Sequence, residues 1–309
     1  MLRSRKFLFI GLGALCSLYL IAGYYFSSQI VAFGTKTLEE DLGRMSFKGP
    51  GDFGLPDPEV ITITGHQGVR LEGFFFKNPD AGDCGVIIQH GFTGTRWGAV
   101  KFIPLFWDRG CDIVAMDARF HGNSGGAFAT LGYFERYDMQ RVLAWFQRRT
   151  GLEKRQIGLM GISMGGAIVL LTAALEPEVA FVAADAPYSD LGTILTERAM
   201  ILYGQLLRPL VPIAFVIAQG RAGFDIQDVA PGRHAAKIEA PVFLTRSDAD
   251  VYTPPYHTDL VYERVAHERR VLIKTDWGSE HGRCIDDDRE RYTANFEAFM
   301  DEHVPDFGK

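Results

Sequence analysis

Ser163 stands in Gly161-Ile162-Ser163-Met164-Gly165, between a short apolar run (157–160) and an apolar stretch of helical character (164–175). A serine on a tight strand-to-helix turn exposes its hydroxyl at the edge of a sheet. The positions two before and two after must then be small, because the turn brings backbone against backbone there. Gly161 and Gly165 meet that demand, and Gly166 lets the following helix pack close to the strand. The pattern points to nucleophilic attack by the Ser163 hydroxyl. That group is a weak nucleophile alone and needs a base, which in turn needs an orienting carboxylate.

Behind such an elbow the order along the chain is serine, acid, histidine. His281, in Gly278-Ser-Glu-His281-Gly282, follows the last apolar run and precedes the last helical pattern. Loops at the carboxyl ends of parallel strands are where such sheets place reactive groups, so His281 is the expected base. The other histidines fit less well. His66, His90 and His121 lie upstream of the serine, His303 lies in the tail, and His234, His257 and His267 fall on helices or at the edge of an insertion. Asp250, beyond the run 241–245 and 31 residues before His281, is the expected acid. Asp248 is chemically equal, and Asp185 after the sixth run is a third candidate. A tetrahedral intermediate also needs two backbone N–H donors. Met164, next after the nucleophile, supplies one, and Phe92 in His90-Gly91-Phe92-Thr93-Gly94 is expected to supply the other.

Eight short runs (60–64, 69–76, 85–89, 112–116, 157–160, 179–184, 241–245 and 271–274) alternate with helical patterns such as 134–148, 164–175 and a last helix from about Asp288. The first two read as a hairpin around Gly65-His-Gln-Gly68, and the remainder as buried parallel strands. Alternation of this kind predicts an α/β fold with a mainly parallel eight-stranded sheet and helices on both faces. Residues 191–237 interrupt the alternation after the sixth strand and read as an inserted helical lid. Within them, 199–219 is apolar and long enough to span a bilayer, but Arg208, Pro209 and Pro212 break it into a buried or cleft-covering helical pair.

The chain has 309 residues, 47% hydrophobic and 23% charged, which excludes disordered, collagen-like and coiled-coil classes. Its net charge of −6 leaves no electrostatic footprint for nucleic acid. Residues 7–26 carry no charge and follow Arg3, Arg5 and Lys6. At about 1.5 Å per residue they reach roughly 30 Å, the thickness of a bilayer core. Tyr24 and Tyr25 suit the membrane interface at the far end. Residues 1–27 therefore read as an uncleaved anchor with a cytoplasmic N-terminus, in preference to a cleaved secretory signal, with 28–57 as a Gly/Pro-rich linker and 58–309 as the catalytic domain. In either case the domain is extracytoplasmic. Asp286, Asp287 and Asp288 read as a helix start rather than a metal site. No cofactor and no obligate protein partner is implied.

Together these motifs resemble the α/β-hydrolase superfamily over roughly 57–307. The resemblance rests on His90-Gly-Phe-Thr-Gly94, Asp117-Ala-Arg-Phe-His-Gly-Asn-Ser124, the Gly161–Gly166 elbow, and the loops of Asp250 and His281. More narrowly, Asp185-Ala-Pro-Tyr-Ser-Asp-Leu191 and Ala222-Gly-Phe-Asp225 are similar to membrane-anchored serine hydrolases labelled esterase or serine-aminopeptidase-like. Arg246-Ser247 departs from that branch, which usually has His-Gly there. The fold would set the strands of Cys84 and Cys111 side by side, six residues before His90 and Asp117, so an exported chain could link them, which would leave Cys284 unpaired; the sequence does not say whether the bond forms. The resemblance implies hydrolysis through an acyl-enzyme. The lid's Leu, Ile, Val and Phe content points to a small-molecule ester with an apolar acyl or aromatic group. Amide cleavage by the same residues is the alternative, with Glu197 as the acidic residue that could hold a substrate amine. A non-catalytic binder on the same scaffold is a third.

Overall fold

Eight strands form one sheet: β1 (Glu59–Thr64), β2 (Arg70–Phe76), β3 (Gly85–Gln89), β4 (Asp112–Met116), β5 (Ile157–Ile162), β6 (Val182–Asp185), β7 (Val242–Ser247) and β8 (Arg270–Thr275). The computed structural model describes residues 2–80 and 82–308, with side chains from residue 9 onward, so the side chains of Arg3, Arg5 and Lys6 lie outside it. Spatial order is β1-β2-β4-β3-β5-β6-β7-β8. β1 and β2 pair antiparallel, β2 runs antiparallel to β4, and every later pairing is parallel. The eight expected strands are all present. β6 starts at Val182 rather than 179, because the Val179 amide closes a turn onto the Glu176 carbonyl.

Helices of five residues or more are α1 (Leu2–Val31), α2 (Leu38–Leu42), α3 (Glu135–Thr150), α4 (Met164–Ala173), α5 (Leu191–Tyr203), α6 (Val211–Ala222), α7 (Tyr256–Arg264) and α8 (Arg289–His303). β3 and β4 are buried throughout, whereas β1 shows the alternation of a half-buried edge. Successive side chains leave a strand on opposite faces. Ile87 and Val114 accordingly join the core of Leu143 and Ile168 on α3 and α4, while Val86, Ile88 and Ile113 join that of Phe296 and Phe299 on α8. The sheet is therefore covered on both sides. Cys84 and Cys111 immediately precede β3 and β4, whose first residues are register partners, and a disulfide joins them across 4.7 Å between Cα atoms.

Between β6 and β7 the insertion expected over 191–237 holds α5, a 3-10 segment (Gln205–Leu210) and α6 as far as Ala222; the rest is not lid but short turns whose Ile226, Val229 and Ala235 are buried in the core. Asp190 caps α5 by accepting from the Thr193 amide, Pro209 lies in the 3-10 segment between the two helices, and Pro212 stands in the first turn of α6. α6 lies along α1. Gly23 lets the two approach, since a Cβ there would come within 2.9 Å of Ile213 Cγ2. Arg221 donates to Ser27 Oγ and Ser28 Oγ at 2.7 and 2.8 Å and sits over the Tyr24 ring, and Tyr19 donates to the Pro209 carbonyl at 2.8 Å. α1 thus continues past residue 27, and Ile30, Val31 and Phe33 are buried in the core beneath α3 and α4. Phe9–Val31 is long and apolar enough to cross a membrane, a description that a signal sequence also satisfies.

Candidate active site

β5 delivers Ser163 into the turn that opens α4, with φ 55° and ψ −119°. Such a conformation is strained for a residue with a Cβ and persists only where its surroundings hold it. Here the Ser163 amide donates to the Asp185 carbonyl at 2.7 Å. A Cβ at Gly161 would run into the Gly165 backbone, and one at Gly165 into the Gln89 and His90 carbonyls, so both glycines are obligatory. The hydroxyl of Ser163 lies 2.8 Å from His281 Nε2. His281 Nδ1 lies 2.6 Å from Asp250 Oδ2. The other oxygen of that carboxylate accepts from the Tyr252 and Thr253 amides at 2.8 and 2.9 Å, which fixes Asp250 in a buried position.

The three acid candidates separate in space. Asp248 is exposed and paired with Arg246, which also donates to Asp259 at 2.8 Å. The arginine of the unexpected Arg246-Ser247 pair thus holds Asp248 away from His281. Asp185 is buried, neither carboxylate oxygen has a hydrogen-bond partner among the described residues, and burial raises its pKa to about 6. Only Asp250 meets the imidazole. Tyr252 stacks on the His281 ring at 4.9 Å between centroids, and the Arg198 guanidinium covers the Tyr252 ring at 3.9 Å.

The loop of Phe92 is held from three directions that the sequence reading missed. His90 Nδ1 donates to the Gly91 carbonyl at 2.7 Å, while its Nε2 accepts from the Ala118 amide at 2.9 Å. That arrangement requires a neutral ring, and burial lowers its pKa to about 4. Asp41 on α2 accepts from the Thr95 amide and hydroxyl at 2.7 and 2.9 Å. The Arg96 amide donates to Asp117 at 2.7 Å, and the Arg96 side chain bridges Asp117 and Glu72. The segment 33–45 belongs to this site as well, since Lys36 donates its amide to the Thr93 carbonyl at 3.2 Å. The capping box Thr37–Glu40 was the one sequence signal that a helix stood there. Among the described residues the Phe92 amide donates to no protein group. The Met164 amide opens α4, where the first-turn N–H groups have no carbonyl of their own helix to bond.

Two cavities meet at Ser163. One, about 340 Å³, runs between α1 and the insertion and is lined by Phe26, Ile30, Phe92, Met164, Leu195 and Leu210 among others, with no acidic side chain in its wall. The other, about 350 Å³, is bounded by Lys36, Asp41, Lys101, Tyr252 and His281. Glu197 faces neither cavity. It accepts from the Tyr256 hydroxyl and lies 3.1 Å from His257 Nε2, while His257 Nδ1 is 2.8 Å from Ser189 Oγ. Asp286 and Asp288 are also accounted for: Asp286 pairs with Lys101 at 2.6 Å and Asp288 caps α8. The free thiol of Cys284 is buried, which pushes its pKa up to about 12.

A sheet of this order, a strained serine on the β5–α4 turn and a histidine after β8 define a class, and the comparisons agree with it. The α/β-hydrolase fold family matches residues 86–261, more than half of the chain. The chain belongs to the α/β-hydrolase family. It is similar to an uncharacterized Bacillus subtilis protein, YqkD, at 28% identity over 96% of this chain and 97% of that one. It is also similar to a thermostable monoacylglycerol lipase of a Bacillus species, at 21% identity over 75% of this chain and 95% of that one. Among solved structures, the Pyrococcus furiosus esterase Pf2001 superposes with a TM-score of 0.69 at 23% identity, over 88% of this chain and 99% of that one. These relatives set the chain among the hydrolases.

Proposed function

We propose that the protein is a membrane-anchored serine hydrolase that cleaves a carboxylic ester through an acyl-enzyme. One observation carries the reading: His281 is hydrogen-bonded through one nitrogen to Ser163 and through the other to Asp250. With Nδ1 protonated and bound to the carboxylate, Nε2 has its lone pair aimed at the serine hydroxyl. It takes the proton as Ser163 Oγ bonds to the acyl carbon, and the Phe92 and Met164 amides receive the developing oxyanion. The same proton then passes to the departing alkoxide as the ester C–O bond breaks. Water repeats the sequence to release the acid, with Asp250 ionised throughout.

The two cavities supply a division of the substrate. A leaving alcohol must lie against His281, because that ring protonates it. The cleft of Lys36 and Lys101 touches His281 and suits a polar alcohol. The other cavity touches Ser163 and Met164 but not His281, and its aliphatic and aromatic wall suits the acyl chain. The esterase and lipase names of two relatives agree with an ester substrate. Amide cleavage with a bound substrate amine is less well served, since Glu197, the carboxylate that could have held the amine, is engaged by Tyr256 and His257. The apolar, uncharged residues 7–26 after the basic N-terminus support a cytoplasmic N-terminus and an extracytoplasmic catalytic domain, where the Cys84–Cys111 bridge is at home.

Turnover of p-nitrophenyl esters of increasing chain length, beside Ser163→Ala, tests the reading. Serine-dependent hydrolysis with a preference beyond acetate is expected. A folded protein that turns over no ester would overturn it.

A further inference from the structure

The geometry points to lateral entry of the acyl chain from the bilayer, through a slot between α1 and the tip of the inserted helices. The substrate class is then a membrane-resident acyl ester lipid. The inference rests on the ester-hydrolase reading and adds where that ester comes from.

Its first ground is that the apolar span and the cavity are one structure. Phe26 closes the apolar span and Ile30 continues the same helix, and both form the cavity wall, as do Leu207 and Leu210 of the 3-10 segment. The second ground is depth. Tyr19 donates to the Pro209 carbonyl. Tyr19 lies seven residues before Phe26, the last apolar residue before the polar Ser27-Ser28-Gln29. At about 1.5 Å per residue, that places the contact roughly 10 Å inside a hydrocarbon core whose half-thickness is about 15 Å. The tip of the insertion therefore sits in the outer leaflet, beside the helix that crosses it.

The third ground is the outward surface of that tip. Ile201, Leu206 and Val216 are 60%, 94% and 62% exposed, and on α1, along which the insertion packs, Leu18, Ile21 and Tyr25 are exposed as well. In water these side chains would form an uncovered apolar patch, whereas in lipid they are matched to the solvent. Arg208 is exposed at the same tip, and its long side chain can carry the guanidinium back toward the headgroups. The path is then continuous. The chain enters between Phe26 and Leu207 and its carbonyl stops at Ser163. The polar alcohol occupies the cleft of Lys36 and Lys101, beyond Phe92. The same contacts make α1 a wall of the substrate cavity rather than a removable leader.

The test uses the full chain in phospholipid vesicles. Leu206→Glu and Val216→Glu alter exposed positions outside the cavity wall, so the fold and the site are untouched. Turnover of a long-chain monoacylglycerol embedded in the vesicles should fall by at least about tenfold, because a charge must now enter hydrocarbon. Turnover of p-nitrophenyl acetate, which arrives from water, should be unchanged. In parallel, tryptophan fluorescence gained in Leu206→Trp should be quenched by phospholipids brominated along the acyl chain. Equal rates for wild type and variants on the vesicle substrate, no quenching, or cross-linking of Leu206→Cys to a second copy would each overturn the inference. Absence of turnover of any p-nitrophenyl ester by the folded wild type would instead overturn the ester-hydrolase reading itself.

Discussion

Phe33 rests on Phe92 with 4.4 Å between ring centroids, so the segment that leaves the N-terminal helix packs directly on the residue whose amide is assigned to the oxyanion. Lys36 and Asp41 continue the contact through the Thr93 carbonyl and the Thr95 amide. The loop's shape is thus imposed from outside the sheet. Asp41→Ala removes a buried acceptor from two donors and should lower kcat by about tenfold with little change in KM, since a displaced donor weakens the transition state more than the bound substrate. Steady-state kinetics of the variant check this, and an effect confined to KM would contradict it.

The choice among three aspartates is testable by substitution at each. Asp250→Asn should lower kcat by about 10⁴, the scale of losing the partner that sets the histidine tautomer. Asp248→Asn and Asp185→Asn should stay within about threefold, because neither carboxylate touches His281. Asp248 and Asp250 are two residues apart in one turn, and nothing in their spacing separates them. What does so is Arg246, which engages the first and leaves the second to face the ring.

Acid should destabilise the protein through two buried imidazoles. Burial lowers the pKa of His90 and of His121 to about 4, against an ordinary value of 6.5. The unfolded chain therefore binds protons that the folded one refuses. The contribution is full above about pH 6.5 and is lost as pH falls toward about 4. Asp185, raised to about 6 by burial, works in the opposite sense over the lower part of that window. The two are separated by difference: the fall in Tm from pH 7 to 4.5 should be smaller for His121→Asn than for wild type. Parallel curves would contradict the assignment.

Cavity length should set chain-length preference. Leu210→Trp fills part of the cavity from the side of the insertion and should shift the preferred acyl chain to shorter esters, leaving acetate turnover within about twofold. Competition between short and long p-nitrophenyl esters measures it, and an unchanged preference would place the acyl chain elsewhere.

Much of this was legible in the chain. The strands were readable because buried parallel strands are short apolar runs between turn residues, and the elbow because only glycine tolerates its contacts at 161 and 165. His281 followed from chain order. The hidden part was tertiary. Residues 28–57 read as a linker, yet Val31 and Phe33 enter the core and Asp41 grips the oxyanion loop. Nor did the two apolar runs announce that one packs on the other, because periodicity tells which residues seek cover and not what covers them. His90 was set aside for lying upstream of the serine, and its role is to pin the loop.

The most direct measurement of the central claim is active-site labelling. Ser163 is not the only serine bonded to a histidine, since Ser189 lies 2.8 Å from His257, which faces Glu197 in turn. A fluorophosphonate followed by peptide mass mapping decides between them. The account expects one adduct, on the peptide carrying Ser163, absent in Ser163→Ala and strongly reduced in His281→Ala. An adduct on Ser189, or none on the folded protein, would contradict it.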